Sequence, residues 1–595
     1  MPNLTMDPPP LTSRPAVEGA RSPAIRTQSR TVGSTAPPSR VNKRGVVSQL
    51  ALSFLLCCCT PALSQEWTYV PDWDLDMQVT PADLPAPELQ IRPGEGAATL
   101  SWPAFGSNFV LETAASCTPP LSWSLLSASA AVVGEETQVT VPATSAGRFF
   151  RLKGPYRCRI PLFEFAIFYG GLLEFTWAGP LVVGGRAHAN GDIFAGSSSP
   201  LSFSRLVTTS GRVYLTNWDS HTVGEFTGTI TYHGLRTNCP ALYLPIGTNH
   251  TPEALREIIN PPPPGEDAGS ALGQQRYFNK AGLVLLVSNQ LITCTLKTRA
   301  NDPAPATIVA HHYATNAPYD NPANFGYANM AEIRSNFPFL SLTNGTVPPE
   351  LLSFYDRREN KTVWPVQIDV GRLGRWLATN SLVAGKFPST GGVYVGGVYP
   401  NIMYVADFRT QSELNLPAVR LVNAASIPTN SAPSGQPTGF TLVTPNPLYL
   451  WGHYNLADYP ASLVCDALTV LSSHWNDSTS FGLFVNGAAS ATTNNAAVLA
   501  GTVYSTGPSN DTFSGGVMNL PRLLEDWGNG SSNYLALNTS LVNLFPSGKA
   551  TNQFRIPGYY YYAPSRVFSL DRNFTNRTTL PPGTPELEVI LPAWW

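Results

Sequence analysis

Along most of this chain, short runs of Leu, Val, Tyr and Ala alternate with single small or polar residues, and Pro, Asn or Gly cuts each run off. Leu448-Tyr-Leu-Trp-Gly-His-Tyr-Asn455 and Ala461-Ser-Leu-Val-Cys-Asp-Ala-Leu-Thr-Val-Leu-Ser472 show it most plainly, with Asp458-Tyr-Pro460 between them. Alternation with a period of two, bounded by turn residues, is how strands read. Apolar residues at helical spacing are scarce, so the expected fold is mainly β.

The spacing of these runs suggests an architecture. Leu181 and Leu201 open similar units 20 residues apart, and units beginning at Ala418, Gly439 and Ala461 follow at steps of 21 and 22. Ala496-Ala-Val-Leu-Ala500 continues the series after a longer loop. Near-constant spacing of strand-plus-turn units is what stacked coils require, because each coil buries its inward residues against the next. The expectation is a β-solenoid resembling a right-handed β-helix, with a β-sandwich or jelly roll as the alternative.

The chain divides by grammar. Residues 1–64 form a leader and residues 65–85 a linker. Residues 86–154 hold six short alternating runs, the pattern of a small β-sandwich. Residues 155–260 and 391–595 carry the solenoid-like units, the second part ending in an aromatic cap of Tyr559–Tyr562, Phe568 and Trp594-Trp595. Residues 261–390 read as an irregular, partly helical insertion on the flank. Short helices are expected after Thr251, which caps Pro252 at the first helical position, and over Val370–Leu377.

Charge bears mainly on cellular address. Residues 1–45 hold seven Lys/Arg against Asp7 and Glu18, and no charge falls between Val46 and Ser64. Lys43-Arg44, the apolar run Val46–Cys59 and the small residues Ala62 and Ser64 match a secretory signal peptide. That run is shorter than the roughly 20 residues a membrane span needs. Pro161–Trp177 is also apolar, but Glu164 and Glu174 would be costly in lipid, so no transmembrane span is expected in the mature chain. The remaining body is weakly acidic and offers no footprint for nucleic acid. Cys117, Cys158, Cys239, Cys294 and Cys465 are scattered and odd in number, which implies no disulfide framework.

Candidate chemistry is sparse. No nucleophile elbow, zinc motif, phosphate loop or dinucleotide fingerprint is present, so no catalytic residue, metal or cofactor is expected. The best constellation for a carbohydrate-active β-helix enzyme is Asp407, Arg409, His453, Asp458, Asp466, His474 and Asp477. A hydrolase or lyase would need such groups gathered in one groove. Asp458 and Asp477 instead stand in turn contexts where Asp caps its own backbone. His188, in Ala-His-Ala-Asn-Gly-Asp192, reads as structural, and the adjacent His311-His312 would point to opposite faces of a strand. Aromatic residues can stack on sugar rings, which makes Trp218, Trp451, His453, Trp475, Tyr559 and Tyr560 the candidate binding residues.

Two resemblances add to this reading. Leu100-Ser-Trp102, Phe109-Val-Leu-Glu112 and Phe149-Phe-Arg-Leu152 resemble the fibronectin-type-III-like modules of exported bacterial proteins. Gly179-Pro-Leu-Val-Val-Gly-Gly-Arg-Ala-His-Ala-Asn-Gly-Asp-Ile193, with Asn446–Asn455 and Ala461–Ser472, is similar to exported, pilus-associated proteins of the PilX-like type. The chain lacks the Gly-Phe-x-x-x-Glu junction of a pilin. What the resemblance implies is export to the cell surface. The periodic units that follow a secretory signal carry the expectation of a structural or adhesive protein of the surface or envelope, an accessory of a pilus-like system, with surface glycans or other envelope and pilus proteins as its partners.

Overall fold

The computed structural model describes residues 80–592, apart from positions 82–88, 95, 104–108, 117–121, 127, 135, 143–147, 154, 176–178, 198, 217, 219–227, 312–329, 342–352, 391–392, 395–397, 412, 431–436, 507–513, 529–532 and 556–557. The leader, most of the linker, Cys117, His312 and Trp594-Trp595 lie outside the described residues. The described chain is mainly β, in several sheets.

Residues 90–153 form two antiparallel sheets. One joins Gln90–Gly94, Ala97–Pro103, Glu136–Pro142 and Ala131–Val133; the other joins Ser124–Leu125, Val110–Ala114 and Phe149–Lys153. Alternation decides which side chains turn inward. Leu100, Trp102, Val139 and Val141 of the first sheet meet Leu111 of the second in one small core. Ala131–Val133, exposed at the sheet edge, is the strand that alternation does not reveal.

The larger body is built on one long sheet. Its strands include β1 (Phe165–Tyr169), β2 (Arg186–Ala189), β3 (Leu201–Thr209), β4 (Ile230–Arg236), β5 (Leu283–Val287), β6 (Lys361–Asp369), β7 (Ile402–Asp407), β8 (Asn415–Val422), β9 (Phe440–Trp451), β10 (Ala461–Leu471), β11 (Ala497–Ala500) and β12 (Leu541–Asn543). Every pairing among them is parallel. A jelly roll is antiparallel, so that alternative does not describe this sheet.

Strand order follows the sequence in two separate runs. β1, β2, β3 and β4 are successive neighbours, and so are β9, β10, β11 and β12. The runs join where β12 pairs with β1, Ile167 beside Leu541 and Tyr169 beside Asn543. The first of these twelve strands in sequence therefore lies mid-sheet against the last of them. Its ends are different elements, β4 at one and the β5–β6 region at the other, so the sheet is open rather than a closed barrel. β9 spans two neighbours: its first half pairs with β7 and its second with β8. A further parallel ladder joins Leu173–Phe175, Ile193–Ala195 and Val213–Tyr214, and another joins Thr492–Asn495, Tyr534–Asn538 and Ser565–Ser569.

These pairings correct two expectations from spacing. Leu181 does pair with Leu201, and Phe440 with Ala461. β8 and β9 do pair, but Ala418 and Gly439 are not in register: Val419 pairs with Leu448, and Thr441 pairs with Ile402 of β7. A long connection after β8 shifts the register, so equal spacing there is coincidental. Residues 261–390 are also no mere flank. They supply β5 and β6, paired in parallel with β7 and β8, while the expected helix appears as Val370–Thr379 with Asp369 capping Arg372. The Thr251 cap holds as well, accepting from the Ala254 amide at the start of the helix Pro252–Arg256.

Parallel strands covered on both faces read as near-continuous apolar runs, and every residue of β10 is buried. Leu442, Leu448, Leu463 and Leu468 face the inner core with Trp527, Tyr560 and Tyr561. Val443, Val464, Leu499 and Val542 face outward, beneath Leu242, Leu255, Ile258, Phe574 and Leu587. Each fully buried aliphatic side chain contributes about 1.5–3 kcal/mol. Neighbouring segments must also approach closely: Gly439 has φ 69°, and a Cβ there would stand 2.0 Å from the Pro460 carbonyl oxygen. The strand Glu586–Pro592 closes the body by pairing antiparallel with Pro155–Pro161. Among the described residues no helix is long and apolar enough to cross a membrane.

Candidate functional site

The chemistry-bearing residues singled out in the sequence are each engaged by protein groups, and of them Asp407 and Asp466 both act on the Lys549 ammonium. Asp407 and Arg409 form a fully buried ion pair at 2.6 Å. Asp466, on β10, is fully buried and takes the Arg256 guanidinium at 2.5 Å, the Ser547 hydroxyl at 2.6 Å and the Gly548 amide at 2.7 Å. Burial opposes its ionisation, but Arg256 and these donors outweigh it and hold the carboxyl below its usual range. Asp458 sits in a left-handed turn (φ 58°) and accepts from Asn538 at 3.0 Å. His453 accepts the Thr493 amide through Nδ1 at 3.1 Å, and the exposed His474 donates its own amide to Ser472 Oγ. The carboxylates and histidines of the enzyme-like constellation thus serve local roles.

His188 is completely buried, bonded through its ring nitrogens to Thr208 Oγ1 at 2.7 Å and Asn190 Oδ1 at 2.9 Å, and stacked on Phe168. Burial pushes its pKa down to about 4, so it is a neutral structural group at physiological pH. His311 faces Glu332 at 3.1 Å. No group of three or more metal-ligating side chains is present among the described residues.

Of the aromatic candidates, Trp218 is half-buried and edge-on to Phe194, which stacks on Tyr214. Tyr559 is exposed beside the Arg555 guanidinium, whereas Tyr560 is buried with its hydroxyl accepting the Arg555 amide at 2.7 Å. Trp451 and Trp475 meet around Arg420. That guanidinium, fully buried on β8, binds both oxygens of Asp477 at 2.6 and 2.9 Å and lies 4.8 Å from the Trp451 ring centre. Trp475 Nε1 donates to the same Asp477 at 2.8 Å, and its ring is buried edge-on to Phe354. Trp475 is thus buried against protein, and half-buried Trp451 has the Arg420 guanidinium against its ring.

Beside this cluster a cleft opens that sequence reasoning did not find. Its lining includes Tyr355, Arg357, Thr479, Phe484 and Glu525, with Asn476 at its side and Trp475 in its wall. Below it the turn 356–359 is held from inside. Asp356 accepts the Arg358 and Glu359 amides at 2.8 and 3.0 Å and the Tyr449 hydroxyl at 2.6 Å. Glu359 in turn pairs with Arg522 at 2.5 Å. With Asp356, Arg358 and Glu359 buried, the half-buried Tyr355 and Arg357 are the alternate residues that line the cleft. The Tyr355 amide already donates to Ser480 Oγ at 2.8 Å. Glu525 accepts from the Ser472 amide and hydroxyl at 2.6 and 2.7 Å; burial outweighs those bonds and pushes its pKa up to about 7. Phe481, Leu483 and Val485 stand exposed nearby. The one sequence signal was the charge run Asp356-Arg-Arg-Glu359 in a chain otherwise poor in charge.

No protein-family model, curated protein or solved structure matches the chain.

Proposed function

We propose that this chain is an exported structural or adhesive protein of the cell surface or envelope, whose parallel ladders are successive coils of a β-solenoid. The pilus-associated resemblance is the basis for placing it as an accessory of a pilus-like system. The observation that carries the reading is the long sheet of parallel strands, buried on both faces at its centre, with the interior carboxylates Asp466, Asp407 and Glu359 each paired with an arginine. Such a body is rigid along its stacking direction and suits repeated contact with a surface rather than turnover in one groove. The signal-like segment Lys43–Ser64 supplies the address.

The test is fractionation of cells expressing the full chain, with protease shaving of intact cells and a glycan array on the purified protein. Recovery at the surface, with cleavage of the chain on intact cells, is the expected result. Purely cytoplasmic or periplasmic recovery overturns the adhesive role.

A further inference from the structure

Asp407, Asp466 and Glu359 each face an arginine, and both oxygens of the buried Glu525 are engaged by Ser472. Asp571 differs. It is fully buried just beyond the strand Ser565–Ser569, and its Oδ1 accepts the Asn573 amide at 2.8 Å. Its Oδ2 meets no hydrogen-bond partner, and no ion pair reaches Asp571 among the described residues. What stands within hydrogen-bonding reach is a second acid, the Asp458 carboxyl. Asp458 is held in a similar manner: Oδ1 accepts from Asn538 at 3.0 Å, and its carbonyl accepts from Asn573 Nδ2 at 2.8 Å. Its Oδ2 is approached by the exposed Arg572 guanidinium at 3.7 Å. Asn573 thus bonds both acids, and the buried oxygen of Asp571 is left over where they meet.

We propose that Asp458 and Asp571 hold a calcium ion, which ties the turn before β10 to the segment that follows the strand Ser565–Ser569. An ionised carboxylate only accepts hydrogen bonds, so two that meet below the surface need a positive charge between them. Arg572 is a weak substitute, since it is mostly in water and reaches Asp458 alone. The donor set is oxygen, with no cluster of His or Cys to suit zinc. Calcium accepts irregular oxygen ligation completed by water, whereas magnesium demands near-octahedral geometry. The partly exposed Asp458 side chain leaves a way in for that water. Two acids among neutral groups give a modest site, with a Kd on the order of 0.1–1 mM, as in extracellular calcium modules. A proton shared by the two acids is the rival occupant, and it predicts no response to calcium. The site goes beyond the adhesive reading and does not depend on it.

The experiment is calorimetric titration of the purified full chain with calcium chloride, at low ionic strength and about pH 8, where free carboxyls are ionised. Magnesium chloride is the comparison cation, and melting curves are taken in calcium and in chelator. Saturable calcium binding is expected, with magnesium about tenfold weaker or more, and calcium should raise the melting temperature by mass action. Asp571→Asn and Asp458→Asn should each weaken binding about tenfold or more, as loss of a charged ligand implies, and should abolish the calcium-dependent melting shift. Asn keeps an acceptor at both positions and tolerates the left-handed backbone at 458, and melting in chelator checks that each variant folds. Arg572→Gln removes a competing positive charge and should tighten binding about twofold or more. No calcium binding, equal binding of magnesium, or a melting shift that survives in both Asn variants overturns the proposal. If an Asn variant fails to fold, the exposed Arg572 still decides: unchanged or weaker binding in Arg572→Gln overturns it. Calcium binding without surface recovery would leave this inference standing and remove the adhesive role; surface recovery without calcium binding would do the reverse.

Discussion

β10 and β4 belong to the same sheet and both pair in parallel, yet they live in opposite surroundings. Every residue of β10 is buried, whereas along β4 exposed and half-buried residues alternate. The difference lies in what covers the outer face. Residues 242–259, crossing from β4 toward β5, lay Leu242, Leu244, Leu255 and Ile258 over the middle of the sheet. The arm ending in β4 leaves Thr231, His233 and Leu235 in solvent. Cover dictates chemistry: a charge beneath it must bring its own partner, and a charge on the arm need not.

The largest effect should come from breaking that rule at the centre. Asp466→Ala leaves Arg256 without its carboxylate and strips the Gly548, Lys549 and Ala550 amides of an acceptor. A loss of about 3–5 kcal/mol is expected, as for one partner removed from a buried pair, read by denaturant unfolding. Leu463→Ala on β10 comes next. Leu463 is fully buried, and the transfer and cavity costs together predict a loss of about 2–5 kcal/mol.

The same centre should make stability depend on pH in two directions. Glu525 and Asp571 are buried, and burial pushes both pKa values up to about 7, with the nearby Asp458 adding to the effect on Asp571. Each keeps its proton in the folded chain up to about pH 7 but would lose it near pH 4 when unfolded. The folded state therefore binds the extra protons between those values. The contribution of these groups is greatest below about pH 4 and falls as the pH rises to about 7. Asp466 runs the other way: its stabilisation is present above about pH 4 and is lost as the pH falls through its lowered pKa. Melting curves across pH should show Asp571→Asn more stable than the parent at pH 8, with the difference gone near pH 4. The carboxamide oxygen introduced by that substitution keeps an acceptor for the Asn573 amide, which Asp571 accepts in the parent. A variant no more stable at pH 8 would show that the raised pKa does not govern this corner.

How much of this was readable beforehand follows from the same division. β9 and β10 declare themselves because their runs, turns and neighbours are local, and the Thr251-Pro252 start needs only four residues. The junction of β12 with β1 was not readable, since Ile167 and Leu541 lie at opposite ends of the body in sequence and nothing local marks them as neighbours. Their aromatic rings made Trp451 and Trp475 candidates for sugar binding, but alternation cannot tell whether an opposing Arg420 and Asp477 will claim them. Tyr355 and Arg357 escaped because their place in the cleft depends on which way a turn faces, which the buried Asp356, Arg358 and Glu359 decide.

The smallest effect should come from the arm. Leu235 on β4 is 40% exposed and belongs to the outermost strand of its run, with β3 as its partner. Replacing it with Ser removes apolar surface that water already reaches, so the change in stability should stay within about 0.5 kcal/mol. Edge strands invite pairing with other chains, and a polar residue here should weaken that tendency rather than strengthen it. Paired unfolding curves for Leu235→Ser and Leu463→Ala therefore sharpen the contrast: both remove a Leu from the same sheet, and only the cover differs. A loss at position 235 comparable to that at 463 would mean that the arm is covered in solution by another surface, and the division between a sealed centre and an open arm would fall.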